Sequence, residues 1–168
     1  MSGTLKEYYQ FFENNRWNQR LCSMYGSSLL SEQKKRYLSL LKESMKMLVG
    51  SKAFLLNACG RAELGGNHTD HNHGNVLAAG IHLDILAAVC ETNNMVVTLF
   101  SENFPKITVD LNNLTRDENE QGTPQAIIRG IAAGLTKQGF NICGFTAFLT
   151  STIPIGSGLS SSAAFEVP

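Results

Sequence analysis

A polar, glycine-rich stretch at residues 60–74 reads GRAELGGNHTDHNHG and contains three of the chain's four histidines. Four side chains in it are of types that bind transition metals: His68, Asp70, His71 and His73. The stretch is therefore compatible with a metal-binding module. Its glycines also permit a turn that lays a short polar segment over a small, hydroxyl-rich ligand. The residue types alone leave both interpretations open.

A second stretch with chemical potential, TIPIGSGLSSSAAF, occupies residues 152–165. Its order predicts a strand that ends at Pro154, a glycine loop, and serines at the start of a helix. Glycines let backbone N–H groups approach a ligand, and a helix N-terminus favours phosphate oxygens. A plain glycine turn with capping serines explains the residues about equally well. The Gly-Lys-Ser/Thr ending of a Walker A loop is absent.

The elements that position these stretches are predicted from periodicity. Apolar spacing indicates helices at 5–14 and at 31–49, the second with Ser31 as its cap. Short apolar runs predict strands at 53–59, 83–90, 96–100, 107–111 and 143–150. A further helix is predicted with Thr123 as N-cap, Pro124 in its first turn and Gly139 at its end, after an exposed loop at 112–122. This order favours an α+β fold.

The composition of the chain argues against several classes of binding partner. The 168 residues suffice for one domain, and Lys plus Arg balance Asp plus Glu at 14 each, which argues against nucleic-acid or anionic-membrane partners. The polar N-terminus has no signal-peptide or membrane-spanning pattern, so we expect a cytoplasmic protein. Cys59, Cys90 and Cys143 lie in apolar surroundings and are predicted to be buried, inert thiols.

Taken together, the two stretches resemble motifs of the GHMP superfamily of small-molecule kinases. PIGSGLSSSAA is similar to that superfamily's phosphate-binding loop, P-x-G-x-G-L-S-S-S-A. GRAELGGNHTDHNHG resembles the signature of the galactokinase family within it, G-R-V-N-L-I-G-E-H-T-D-Y-N-x-G. The resemblance spans about residues 52–167 and implies the α+β fold of a GHMP kinase N-terminal domain, a ribosomal protein S5 domain 2-like fold with a mixed sheet packed against helices.

The resemblance implies ATP-dependent phosphorylation of the 1-hydroxyl of α-D-galactose, with Mg²⁺. Arg61 would stabilise charge on the transferred phosphoryl group. The sugar contacts implied are Asn67, His68, Thr69 and Asp70. The ATP contacts implied by the resemblance are Gly156, Ser157, Gly158, Leu159, Ser160, Ser161 and Ser162. Ser162 would also be a Mg²⁺ ligand. On this interpretation His71 and His73 are side chains of a loop and not ligands. The metal-binding module is then the weaker hypothesis.

Departures from the signature affect substrate preference most. Glu63, Gly65, Asn67 and His71 stand where the family usually has asparagine, isoleucine, glutamate and tyrosine. Asn67 has an uncharged amide in place of a carboxylate, which alters a hydroxyl contact. A kinase for a related sugar such as N-acetylgalactosamine therefore remains an alternative. So does a galactokinase-like sensor that binds sugar and ATP without catalysis.

The same resemblance bears on domain organisation. In the family, the catalytic aspartate, the acidic Mg²⁺ partner and a third glycine-rich motif follow the phosphate loop. We therefore expect residues 1–168 to form an N-terminal domain, with a helical segment at 1–50 and the motif-bearing part at 52–168, and no C-terminal domain. Such a chain is expected to be inactive alone and prone to self-association through exposed apolar surface.

Overall fold

A computed structural model describes residues 3–48, 52–66, 69, 72–102, 104–154, 157–159 and 164–165. Four α-helices lie in these ranges: α1 (Leu5–Glu13), α2 (Asn18–Tyr25), α3 (Leu30–Met47) and α4 (Pro124–Lys137). Short 3₁₀ turns occur at Ser27–Leu29 and Glu118–Glu120. None of these helices has the length and apolar character needed to cross a bilayer.

Five strands form one sheet in the order β1-β2-β5-β3-β4. Their bounds are β1 (Ala53–Gly65), β2 (Leu77–Glu91), β3 (Val96–Ser101), β4 (Phe104–Asp110) and β5 (Phe145–Ser151). β3 pairs antiparallel with β4 and parallel with β5, so the sheet is mixed. The predicted α+β class is confirmed.

Contacts divide the chain into two compact units. Unit 1 comprises Met1–Leu56 and Ala87–Thr150, and unit 2 comprises Asn57–Leu86 and Ser151–Pro168. Both sequence motifs fall in unit 2. The predicted domain bounds, with one domain over 1–168, stay a prediction.

An aromatic cluster holds the helices of unit 1 together. Phe12 of α1 is 1% exposed and its ring packs against Trp17 and Tyr37, with ring centroids 5.0 and 4.7 Å apart. Leu21 of α2 and Leu41 of α3 are equally well buried. Helix α1 begins with a capping box, in which the Glu7 backbone N–H donates to Thr4 Oγ1 and the Thr4 N–H donates to the Glu7 carboxylate.

Polar contacts tie the loop at 112–122 to α4 within unit 1. The Arg129 guanidinium donates to both carboxylate oxygens of Glu120, at 2.9 and 2.8 Å. It also donates to the backbone carbonyl oxygens of Asp110 and Asn113. Hydrogen bonding to Arg129 lowers the pKa of Glu120, so this carboxylate stays charged in mildly acidic solution.

Several sequence predictions need correction. Ser31 is not a helix cap, because the 3₁₀ turn before α3 places the helix start at Leu30. Helix α2 was not predicted, since its mean character is polar and only Leu21 and Tyr25 are buried in it. β5 ends at Ser151, before Pro154. Thr123, by contrast, caps α4 as predicted, with Pro124 in its first turn.

The predicted burial of the cysteines is right only for Cys90. Cys59 and Cys143 are exposed. Cys59 lies between buried Ala58 and buried Gly60 on β1, and alternating residues of a strand face opposite sides. Cys143 precedes β5 and lies outside any strand. Burial raises the pKa of the Cys90 thiol, which therefore stays protonated.

Candidate functional site

The first motif begins on the last part of β1, where Gly60 and Arg61 lie beside the glycine-rich loop of the second motif. The backbone N–H of Arg61 donates a hydrogen bond to the carbonyl oxygen of Leu159, at 3.1 Å. Both residues belong to unit 2. The two motifs, recognised separately in the sequence, are therefore in direct contact in the fold.

Close packing at Gly60 explains why the motif has a glycine there. A Cβ built on Gly60 would lie 2.9 Å from the Leu159 carbonyl oxygen, 3.2 Å from Ile153 Cδ1 and 3.3 Å from Ile81 Cδ1. The nearest of these atoms is backbone, which has no rotamer to change. Any larger residue at position 60 would displace the loop that carries Leu159.

Thr69 organises the turn that follows β1. Its carbonyl oxygen accepts hydrogen bonds from the N–H groups of Asn72 and Gly74, at 2.9 and 2.8 Å. Its hydroxyl donates to the Gly66 carbonyl oxygen at 2.8 Å. A Cβ on Gly74 would collide with the Thr69 side chain, and Gly66 has a φ of 112° that favours glycine. The motif's glycines therefore permit a turn closed around Thr69.

The described part of the second motif is a tight, exposed turn. Ser157 Oγ donates to the Pro154 carbonyl oxygen at 2.7 Å and accepts from the Leu159 N–H at 3.4 Å. Gly158 has a φ of 72°, and a Cβ there would meet no atom of the described residues within 4 Å. Open space beside a glycine in this conformation lets a ligand approach the backbone closely. Ala164 and Phe165 are helical, as predicted for the segment after the serines.

A polar cluster built around one buried carboxyl group lies beside these motifs and was not predicted. It consists of Asn57 on β1, Asp84 on β2 and Thr152 after β5, and we call it the Asp84 cluster. Asp84 is 1% exposed, and Asn57 Nδ2 donates to its Oδ2. The sequence signal was available, because Asp84 is a lone carboxylate at the start of the apolar run ILAAVC. The apolar pattern places Asp84 only within the predicted strand at 83–90.

Eight of the residues assigned to a site by resemblance or by the metal hypothesis lie outside the described residues: Asn67, His68, Asp70, His71, Gly156, Ser160, Ser161 and Ser162. Their roles stay predictions. Within the described ranges, no three His, Cys, Asp or Glu side chains are grouped as metal ligands. Of the four residues of the metal hypothesis, His73 alone is described, and it is exposed in the turn closed by Thr69.

Comparison with known families agrees with both motifs. Residues 46–91 match the galactose-binding signature of galactokinases. Residues 126–167 match the N-terminal domain of GHMP kinases. The two matches are in the expected order and cover α4 as well as the motifs.

Curated relatives are galactokinases. The chain is 40% identical over 112 residues to the galactokinase of Streptococcus suis (strain 05ZYH33), covering 64% of this chain and 28% of the relative. It is 37% identical over 134 residues to that of Streptococcus thermophilus (strain ATCC BAA-491 / LMD-9), covering 77% and 34%. The chain thus spans about a third or less of the length of these relatives.

Solved structures show the same fold. The crystal structure of Lactococcus lactis galactokinase complexed with galactose superposes with a TM-score of 0.61 at 26% identity, covering 90% of this chain and 34% of that one. Methanococcus jannaschii mevalonate kinase superposes with a TM-score of 0.54 at 22% identity, covering 67% and 37%. The second likeness supports the fold alone.

Proposed function

Because this chain belongs to the galactokinase family of GHMP kinases, we propose that it supplies the sugar-binding and ATP-binding segments of an enzyme that converts ATP and α-D-galactose to ADP and galactose 1-phosphate. The observation that carries the proposal is the hydrogen bond from the Arg61 N–H to the Leu159 carbonyl oxygen. It joins the sugar signature to the phosphate loop. A transfer between sugar and nucleotide requires the two binding segments to be adjacent.

In the proposed reaction, the 1-hydroxyl oxygen of galactose forms a bond to the γ-phosphorus of ATP. The bond from that phosphorus to the bridging oxygen breaks, ADP leaves, and the hydroxyl proton passes to a general base. Arg61 stabilises the negative charge on the phosphoryl oxygens, since guanidinium stays charged and matches their geometry. Its backbone is fixed beside the loop by Leu159.

The glycine-rich loop is proposed to hold the ATP phosphates through residues 156–162. The left-handed, unobstructed Gly158 supports this, because the backbone there is open to an anion. When bound, Mg²⁺ neutralises charge on the phosphates, and Ser162 is its proposed ligand.

The turn at 66–74 is proposed to bind the sugar through Asn67, His68, Thr69 and Asp70. Thr69 contributes in a restricted way, because its hydroxyl proton is engaged by the Gly66 carbonyl oxygen. Its hydroxyl oxygen can still accept a hydrogen bond from a sugar hydroxyl. Asp70 would accept two hydrogen bonds from neighbouring sugar hydroxyls.

Titration calorimetry on this chain tests the proposal. We expect galactose to bind in preference to glucose, and ATP with Mg²⁺ to bind in a way that Gly158→Val weakens. Arg116→Ala, a charge removal in the exposed loop before α4, is the control and should leave both affinities unchanged. A folded chain that binds neither ligand would contradict the proposal. A sugar panel that includes N-acetylgalactosamine, repeated with Asn67→Glu, tests the role assigned to position 67.

Turnover is a separate part of the proposal. The resemblance assigns the general base and the acidic Mg²⁺ ligand to segments that follow the phosphate loop in the family, and ADP release in the presence of ATP and galactose measures turnover. Cytoplasmic location is proposed from the family likeness. Self-association is proposed from the exposed side chains of Ile131, Leu135 and Phe140, and sedimentation at several concentrations tests it.

A further inference from the structure

We infer that Asp84 is a positioning residue, which holds β1 and the entrance of the glycine-rich loop in the arrangement that places Leu159 beside Arg61. The inference rests on the proposed function for its consequence, which is nucleotide affinity. All the residues that carry it lie in unit 2.

Asp84 is a carboxyl group buried in an apolar part of β2. Asp84 is 1% exposed and is followed on β2 by Ile85 and Leu86, both of them buried. A charged group in such surroundings is costly unless hydrogen bonds compensate its lost hydration. An apolar residue at position 84 would fit the buried strand at a lower free-energy cost. We therefore explain Asp84 by the segments that its hydrogen bonds hold in place.

Asp84 contacts both β1 and the segment after β5. Its side chain accepts a hydrogen bond from Asn57 Nδ2, four residues before Arg61 on β1. Its backbone pairs with Thr152 in both directions: the Thr152 N–H donates to the Asp84 carbonyl oxygen at 2.9 Å, and the Asp84 N–H donates to Thr152 Oγ1 at 2.9 Å. Asp84 is therefore bonded to the strand of the first motif and to the segment that enters the second.

Thr152 is linked to Leu159 through the packing around Gly60. Ile153, the next residue, is 5% exposed, and its Cδ1 borders the position that a Cβ on Gly60 would take. The Leu159 carbonyl oxygen borders the same position and accepts the Arg61 N–H. Moving Thr152 would shift Ile153 against Gly60 and disturb the bond between Arg61 and Leu159.

Site-resolved amide hydrogen exchange on this chain tests the inference. In Asp84→Leu, which has no acceptor for Asn57, we expect the Arg61 amide to exchange about tenfold faster, the effect of losing one part-buried hydrogen bond to a carboxyl group. Asp84→Asn keeps an acceptor oxygen of the same shape and should restore slow exchange. The Leu111 amide, which donates to Met95 in unit 1 at 2.7 Å, should be unchanged in every variant.

If Asp84→Leu does not fold, two substitutions at Thr152 test the same inference. Thr152→Val removes the oxygen that accepts the Asp84 N–H, whereas Thr152→Ser retains it. Faster exchange at Arg61 in Thr152→Val, with Thr152→Ser unchanged, is the expected result. Equal acceleration at Arg61 and Leu111 would show general destabilisation and overturn the inference, as would an unchanged Arg61 amide.

Calorimetry with ATP and Mg²⁺ separates this inference from the proposed function. We expect Thr152→Val to weaken ATP affinity, with Thr152→Ser near the unaltered chain. An unaltered chain that binds no ATP, yet shows the selective exchange at Arg61, would contradict the proposed function and leave Asp84 as a positioning residue. ATP binding that is identical in all variants, with no selective exchange, would overturn the inference and leave the proposed function in place.

Discussion

The Arg61 N–H and the Leu159 carbonyl oxygen, 3.1 Å apart, join two motifs that lie far from each other in the sequence. This hydrogen bond is formed beside a glycine that has no room for a side chain. Substitutions near this contact should change the stability of the chain and its affinity for ligands, and both can be measured.

Gly60→Ala is expected to destabilise the chain by about 1–3 kcal/mol, because its Cβ would approach the Leu159 carbonyl oxygen to 2.9 Å and force the backbone to move. It should also weaken ATP binding. Urea unfolding and calorimetry measure the two effects. Gly130→Ala is the matched control: it lies in α4 with nothing within 4 Å of its Cβ, and should stabilise the chain by up to about 1 kcal/mol.

Gly74→Ala is expected to weaken galactose binding, because the added methyl group collides with the Thr69 side chain and opens the turn that Thr69 closes. Gly65→Ala places a methyl group where no atom of the structurally described part of the chain lies within 4 Å, so it should preserve affinity. Equal loss in both variants, measured by calorimetry, would show that the closure around Thr69 is unimportant for the sugar.

Stability should depend on pH through Glu120. Its pKa is below the usual value of 4.5 in the folded chain because of hydrogen bonds from Arg129, so ionised Glu120 stabilises the fold above pH 4.5. That contribution is lost as the pH falls through the lowered pKa. Glu120→Gln should lower stability at pH 7 and flatten the decline below pH 4.5, as followed by urea unfolding at several pH values. Glu118→Gln, in the same turn, should retain the decline.

Thr4→Ala is expected to destabilise α1 by about 1 kcal/mol, since it removes the hydroxyl that accepts the Glu7 N–H in the capping box. Thr4→Ser retains that acceptor and should behave like the unaltered chain. Urea unfolding of the two variants provides the measurement. Identical stability of Thr4→Ala and Thr4→Ser would mean that the cap contributes nothing.

The start of α4 and the existence of the five strands could be predicted, because helix caps and apolar runs are signals within a few neighbouring residues. Thr123 and Pro124 define the start of α4 because capping and a fixed proline φ act within one turn. The five apolar runs identified five strands, although β1 and β2 extend well beyond the predicted bounds. Helix α2 escaped prediction because its stability comes from burying Leu21 and Tyr25 against other helices.

By itself, the sequence determined the family, because two long motifs in order are specific, and it determined which residue types are available to the proposed sugar and phosphate sites. The tertiary structure decided what those residues contact. The approach of Leu159 to Arg61, and the contacts of Asp84 with Asn57 and Thr152, arise only when segments distant in the chain come together. Contacts between residues distant in the chain leave no periodic signal, because each partner's local pattern is satisfied with or without the other.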